Sequence, residues 1–171
     1  MTLEHRAVLE LRAKDRKLTG YAARFNTEAR VADFVETIAP GAFAQSLKSG
    51  RDIVAMVDHD PSKVLARTRS GTLKLSEDST GLEFELPVPD TQPGRDILAL
   101  AERGDLGGMS FGFLIPDQGD RWAGNRRTLL HVELHEISVV SAWPAYEGTT
   151  VNARARAPRL SQALRYLETC R

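Results

Sequence analysis

Three residues whose types together suit nucleophilic acyl chemistry are spread along this 171-residue chain. Ser110 lies in the glycine-flanked apolar segment Gly107-Gly108-Met109-Ser110-Phe111-Gly112-Phe113. Upstream, His59 lies in Asp58-His59-Asp60-Pro61; downstream, Glu136 opens Glu136-Ile137-Ser138-Val139-Val140. A hydroxyl nucleophile, an imidazole base and a carboxylate to orient that base are thus available in the order His, Ser, Glu. That order differs from the three familiar orders of serine-hydrolase triads.

Each candidate also has a plainer reading. If Met109, Phe111, Phe113 and Ile115 face a core, Ser110 shares the other face with Gly108 and Gly112. Such small neighbours leave room for a substrate strand and keep backbone amides open to an oxyanion. On this view Gly108, Met109, Phe111 and Gly112 form the substrate and oxyanion region. The same pattern also fits a strand serine beside turn glycines. His59 stands where an apolar run meets a turn, with Pro61 expected to end the strand. A rigid turn suits a general base, and equally suits a solvated histidine. For Glu136, alternation through Leu130, Val132 and Leu134 places the carboxylate on their apolar face, together with Ser138 and Val140. A carboxylate there needs a partner, and an imidazole N–H is one. A bulge near His135 reverses this parity and is expected to expose Glu136. Between Glu136 and His135, the parity favours Glu136.

A metal centre is a separate reading of His131-Val-Glu133-Leu-His135. The helical zinc motifs need Glu beside one of the two histidines, and here Glu133 is midway. On a strand the two imidazoles stand about 13 Å apart, too far to share an ion. No metal and no other cofactor is expected. Arg67 with Arg69, and Arg126 with Arg127, read as solvated pairs, with a grip on an acidic substrate or an oxyanion as the alternative. Trp122 and Trp143 read as packing residues.

The elements that must position these residues are mostly short strands. Leu3 to Ala13 alternates, with Leu3, His5 and Ala7 on one face and Glu4 and Arg6 on the other. Lys17 to Phe25 follows it as the second arm of a hairpin. Ile53 to Val57 reads as a buried strand. Thr72 to Ser76 and Leu82 to Val88 flank a turn in which Gly81 is expected to take positive φ. Met109 to Ile115 and Leu129 to Val140 supply further strands, with a hairpin tip near Asp117-Gln118-Gly119-Asp120. Helices are expected from Pro40 to about Lys48 with Gly50 past the end, and from Gln92 to Gly104 with Thr91 as cap. A third is expected from Leu160 to about Thr169, after the linker Asn152–Pro158. The fold class is therefore mainly β with helices (α+β), a small closed β-barrel surrounded by a few helices. Residues 1–152 are expected to form the working domain, and 153–171 an Ala/Arg linker and amphipathic helix.

Lys+Arg and Asp+Glu both total 23, so bulk attraction to nucleic acid or an anionic membrane is not implied. One cysteine, Cys170, allows no internal disulfide. With no apolar leader and no stretch of transmembrane length, a soluble intracellular protein is expected.

Taken in order, the residues resemble the prohead (capsid maturation) proteases of tailed phages, whose fold is shared with the herpesvirus assemblin proteases. The likeness runs from about Lys17 to Asn152. It begins with Gly20-Tyr21-Ala22, Phe25-Asn26 and Phe34 through Ile38-Ala39-Pro40-Gly41-Ala42-Phe43. It continues with Asp58-His59-Asp60, Thr80-Gly81-Leu82 and Gly104-Asp105-Leu106. It ends with Met109-Ser110-Phe111-Gly112-Phe113, Glu136-Ile137-Ser138-Val139-Val140 and Pro144-Ala145-Tyr146. No single piece is specific; the ordered set is. The resemblance implies a serine endopeptidase with Ser110 as nucleophile, His59 as base and Glu136 as third member. It further implies action inside the immature shell, in the host cytoplasm. The expected substrates are scaffolding protein or the scaffold-like segment of the major capsid protein, and the enzyme itself. A homo-oligomer is expected, with no nucleic acid or membrane partner. The rival implied by the same fold is a non-catalytic capsid-assembly factor.

Overall fold

The structure, a computed structural model, describes residues 3–8, 11–14 and 16–142. The architecture is mainly β with two helices among the described residues. A five-stranded sheet runs in the order β1 (Glu4–Val8), β10 (Gly108–Leu114), β13 (Glu133–Val140), β6 (Val54–Val57), β7 (Asp60–Arg67). A second sheet orders β11 (Asp120–Ala123), β12 (Arg126–Leu129), β5 (Phe34–Ile38) and β4 (Ala29–Val31). The third orders β2 (Leu11–Lys14), β3 (Lys17–Arg24), β9 (Gly81–Pro87) and β8 (Lys74–Glu77). The hydrogen-bonded ladders among the described residues group into these three sheets.

Large apolar side chains fill the space between the elements. On β10, Met109, Phe111 and Phe113 are wholly buried, and Phe43 meets Phe111 edge to face at 5.5 Å. Ile137 and Val139 lie opposite Phe111 and Met109 on β13, so the same core takes both strands. Burying such side chains contributes about 1.5–3 kcal/mol each. With this face buried, β10 and β13 must present their other face, with its serines, glycine and carboxylate, to the site.

Helix α2 (Gln92–Arg103) forms as the sequence predicts. Thr91 accepts a hydrogen bond from the Gly94 N–H, Pro93 sits in the first turn, and Gly104 ends the helix with φ 74°. The predicted first helix shortens to α1 (Ala44–Lys48), because residues 40–43 are turns. The predicted linker, the third helix and Trp143 lie outside the described residues.

Several expectations are corrected. The long N-terminal strand divides: β1 pairs with β10, whereas β2 pairs with β3 in another sheet. Its faces are also reversed at β1, where Arg6 is buried and His5 is half-buried. Leu129 to Val140 breaks at residues 130–132, between β12 and β13. The hairpin tip lies at Gly124-Asn125, where Gly124 has φ 61°, because β11 pairs with β12 and not with β10. Pro61 does not end a strand. Asp58 and His59 alone form the turn, and β7 starts at Asp60 on the sheet edge, where a missing N–H costs no ladder bond. Gly81 is absent from the positive-φ residues. It is needed for close approach instead, since a Cβ there would stand 2.0 Å from the Ala23 carbonyl oxygen.

Candidate active site

His59 is delivered by a turn with two left-handed residues. Val57 pairs with Asp60, leaving Asp58 and His59 as the two central residues, with φ 50° and 59°. Both being left-handed marks a type I′ turn, whose usual pairs are Asn-Gly, Asp-Gly and Gly-Gly, so a histidine at its second position is uncommon. Tertiary bonds hold it. The Asp58 N–H donates to the Val139 carbonyl at 2.9 Å, and the Asp58 carboxylate accepts from the Ser141 N–H and hydroxyl, each at 2.8 Å. The His59 N–H donates to Ser138 Oγ at 3.2 Å. The turn is thus clamped to the end of β13, and the imidazole is aimed along that strand.

There it meets Glu136. His59 Nδ1 lies 2.8 Å from Glu136 Oε1, and the Ser138 hydroxyl donates to Oε2 at 2.6 Å. His5 Nδ1 reaches the same Oε1 at 3.0 Å, and the two imidazoles meet edge to face at 4.2 Å. Burial by itself pushes the Glu136 carboxyl up. Hydrogen bonds from His5, His59 and Ser138, with the His59 charge, outweigh burial and hold it at about 2, below an ordinary 4.5. Glu136 is therefore a carboxylate at neutral pH and a fixed acceptor for Nδ1–H.

Glu136 arrives by a route other than the predicted one. Phe113 pairs with Leu134 but Gly112 pairs with Glu136, so His135 is an extra residue in β13. This bulge reverses the alternation. Leu134 faces the core, while Glu136 and Ser138 turn to the opposite face, opposite Gly112 and Ser110. The Ser46 hydroxyl of α1 accepts from the Leu134 N–H at 2.8 Å, satisfying a backbone group at the bulge. The reversal does not expose the carboxylate as the sequence reading expected. Glu136 remains 5% exposed, because β13 is internal to its sheet and His5 and His59 cover it.

Ser110 lies on that same face, cross-strand from Ser138, and is 3% exposed. Among the described residues no hydrogen bond joins Ser110 to either imidazole. The expected approach of a substrate strand along β10 meets an obstacle. From Met109 to Phe113 both edges of β10 are paired, with β1 on one side and β13 on the other. Met109 and Phe111 point into the core, and Gly108 pairs with Val140. Gly112 has a different use: a Cβ there would stand 2.4 Å from Glu136 Oε1 and 3.0 Å from the His5 ring. The missing side chain makes room for the carboxylate and both imidazoles.

His5 and Ser138 are the site residues that sequence reasoning missed. His5 is placed only by the register of β1, which sets it opposite Gly112. That strand is anchored by charge. Arg6 donates through Nε and Nη2 to the two Glu36 oxygens at 2.5 and 2.9 Å, and Arg127 bridges Glu4, Glu36 and Asp120. Arg127 is therefore a buried ion-pair residue, not half of a solvated pair, whereas Arg126 does lie exposed beside Glu28. Arg67 and Arg69 both face Asp52, at 2.6 and 3.7 Å. Trp122 packs edge to face on Phe34 at 5.0 Å. His131 precedes β13, and His135 pairs with Glu133 at 2.9 Å. The one ligand-like group of three among the described residues is His5, His59 and Glu136.

A carboxylate fixing one imidazole nitrogen, on a face that also carries a small-residue serine strand, can perform base-assisted acyl transfer. Comparison with known proteins points the same way. The fold is similar to that of the bacteriophage T4 capsid assembly protease, gp21, with a TM-score of 0.58 at 9% identity, covering 82% of this chain and 98% of that one. A comparison with curated protein sequences found no match. The family model for the caudovirus prohead serine proteases matches residues 2–162, a span that contains β1 with His5 as well as His59, Ser110 and Glu136. By that match over nearly its whole length, the chain belongs to the caudovirus prohead serine protease family.

Proposed function

We propose that the protein is a serine endopeptidase of capsid maturation with Ser110 as nucleophile, His59 as base and Glu136 as the orienting carboxylate. The observation that carries this reading is the 2.8 Å contact of His59 Nδ1 with an ionised Glu136, on the strand face that also bears Ser110. With Nδ1–H held by Glu136, the lone pair of the tautomer lies on Nε2. Ser110 Oγ attacks the peptide carbonyl while Nε2 takes its proton. The imidazolium, stabilised by Glu136, then protonates the leaving amine, and water releases the acyl group. The Ser110–His59 hydrogen bond forms when substrate binds, as catalytic bonds commonly tighten only in the complex.

The substrates in this proposal are scaffolding protein or the scaffold-like segment of the major capsid protein, and the chain itself. The work takes place in the immature shell within the host cytoplasm, in a homo-oligomer, each subunit of which wraps its sheets into a small closed barrel. A non-catalytic assembly factor is the second reading, and the near-complete burial of Ser110 favours it. Co-expression with the neighbouring capsid or scaffold protein separates the two by intact mass. Loss of a defined segment with the wild type but not with Ser110→Ala is the expected result. Identical masses from both, with no labelling by a fluorophosphonate, would favour the assembly factor.

A further inference from the structure

We propose that His5, His59 and Glu136 form a binding site for a single first-row transition-metal dication of the zinc type, and that its occupancy switches the protease off. The inhibitory half rests on the reading of His59 as base; the binding half does not.

The donor set comes first. Two imidazole nitrogens and one carboxylate oxygen lie within 4.8 Å of one another. The two Nδ1 atoms approach one oxygen, Oε1, at 3.0 and 2.8 Å. Tetrahedral zinc, with ligand bonds near 2.0–2.1 Å, wants its ligand atoms about 3.3 Å apart. The two nitrogen–oxygen distances need only open by a few tenths of an ångström, and the two nitrogens lie within 4.8 Å of each other. Two imidazoles with one carboxylate suit Zn²⁺, Co²⁺ or Ni²⁺ and disfavour Mg²⁺ and Ca²⁺, which prefer all-oxygen shells.

The surroundings suit an ion as well. The Ser138 hydroxyl on Oε2 fixes the carboxylate, the outer-shell support that metal ligands usually have. Gly112 keeps the space beside Oε1 and the His5 ring free of side-chain atoms. The His5 and His59 side chains are 36% and 32% exposed, so two of the three ligands border solvent while the carboxylate, at 7%, lies beneath them. Three protein ligands leave a fourth position for water.

Inhibition follows from the tautomer. As base, His59 carries its proton on Nδ1 and its lone pair on Nε2. A metal on Nδ1 uses the lone pair there, and a neutral imidazole must then hold its proton on Nε2. That nitrogen can no longer accept the Ser110 proton. Metal-bound and catalytically competent states are mutually exclusive by proton count alone.

The test uses the full chain with any purification tag removed. Zn²⁺ uptake is measured by titration calorimetry and Co²⁺ uptake by visible absorption. One ion per chain is expected, weakened at least about tenfold by His5→Gln, which retains a hydrogen-bonding side chain. Ser110→Ala and the triple change His131→Ala, His135→Ala, Cys170→Ser should bind as the wild type does. Absence of uptake, uptake indifferent to His5→Gln, or uptake lost in the triple variant would overturn the site. Scaffold cleavage then tests the second half, where saturating Zn²⁺ should abolish turnover. Uptake through His5 with undiminished cleavage would leave the metal site standing and remove His59 as base. If the wild type cleaves nothing, the uptake arms still decide the site.

Discussion

Replacing Gly112 by alanine should disable the site although none of its functional groups is itself replaced. The added Cβ would stand 2.4 Å from Glu136 Oε1, whereas ordinary contact starts at 3.4 Å, so the carboxylate must retreat by about 1 Å. It has little freedom to do so. Oε1 is held at 2.8 and 3.0 Å by two imidazoles and Oε2 at 2.6 Å by Ser138, and a retreat of that size breaks the pair at Oε1. A misplacement near 1 Å in a catalytic group costs about 10²-fold in turnover. That corresponds to about 2.7 kcal/mol of transition-state stabilisation. The assay is cleavage of co-purified scaffold by Gly112→Ala against wild type, with thermal melts of both. Turnover should fall about 10²-fold, and substrate binding less. Wild-type turnover in a variant that also melts as the wild type does would refute the packing of Glu136 against Gly112, and with it the geometry of the site.

Three further outcomes are expected. His59→Gly should keep stability within about 1 kcal/mol, because relief of a left-handed residue offsets one lost hydrogen bond. Cleavage by that variant should fall about 10²–10⁴-fold, and a destabilisation above about 2 kcal/mol, read by urea unfolding, would count against the strained turn. Glu36→Gln leaves the buried Arg6 and Arg127 short of a counter-charge and should cost about 3–5 kcal/mol, again by urea unfolding; a cost below about 1 kcal/mol would mean that the network does not anchor β1. Because the Glu136 carboxyl is depressed from 4.5 to about 2, its contribution of about 3 kcal/mol is complete above the unfolded value and is lost as pH falls through the folded one. The stability advantage of wild type over Glu136→Gln should therefore shrink across that acid window, and an advantage that stays constant there would contradict the depressed carboxyl.

The amino-acid sequence by itself determined those local elements whose start and stop lie in their own residues, and it offered His59, Ser110 and Glu136 as candidates. Thr91, Pro93 and Gly104 carry the start and stop of α2 in their own chemistry, so that helix is legible residue by residue. The alternation of large and small residues along β10 likewise shows which face is core, because strand side chains alternate whatever the partner. Only the tertiary structure decided what those elements meet. Local period could not reveal the bulge at His135, which depends on the pairing of Gly112 and Phe113 with two different registers of β13. The sequence alternation put Glu136 on the face of Leu134; the bulge put it on the face of Ser110, and the covering imidazoles kept it buried there. His5 lies 131 residues from Glu136 along the chain, and nothing local distinguishes it from a solvated histidine. Its place depends on which strand β1 pairs with, and that pairing is held by the Arg6, Glu36 and Arg127 charges, contributed by three different strands. Propensity and periodicity act over a few residues, whereas the site is assembled from long-range register, which only the packed chain defines.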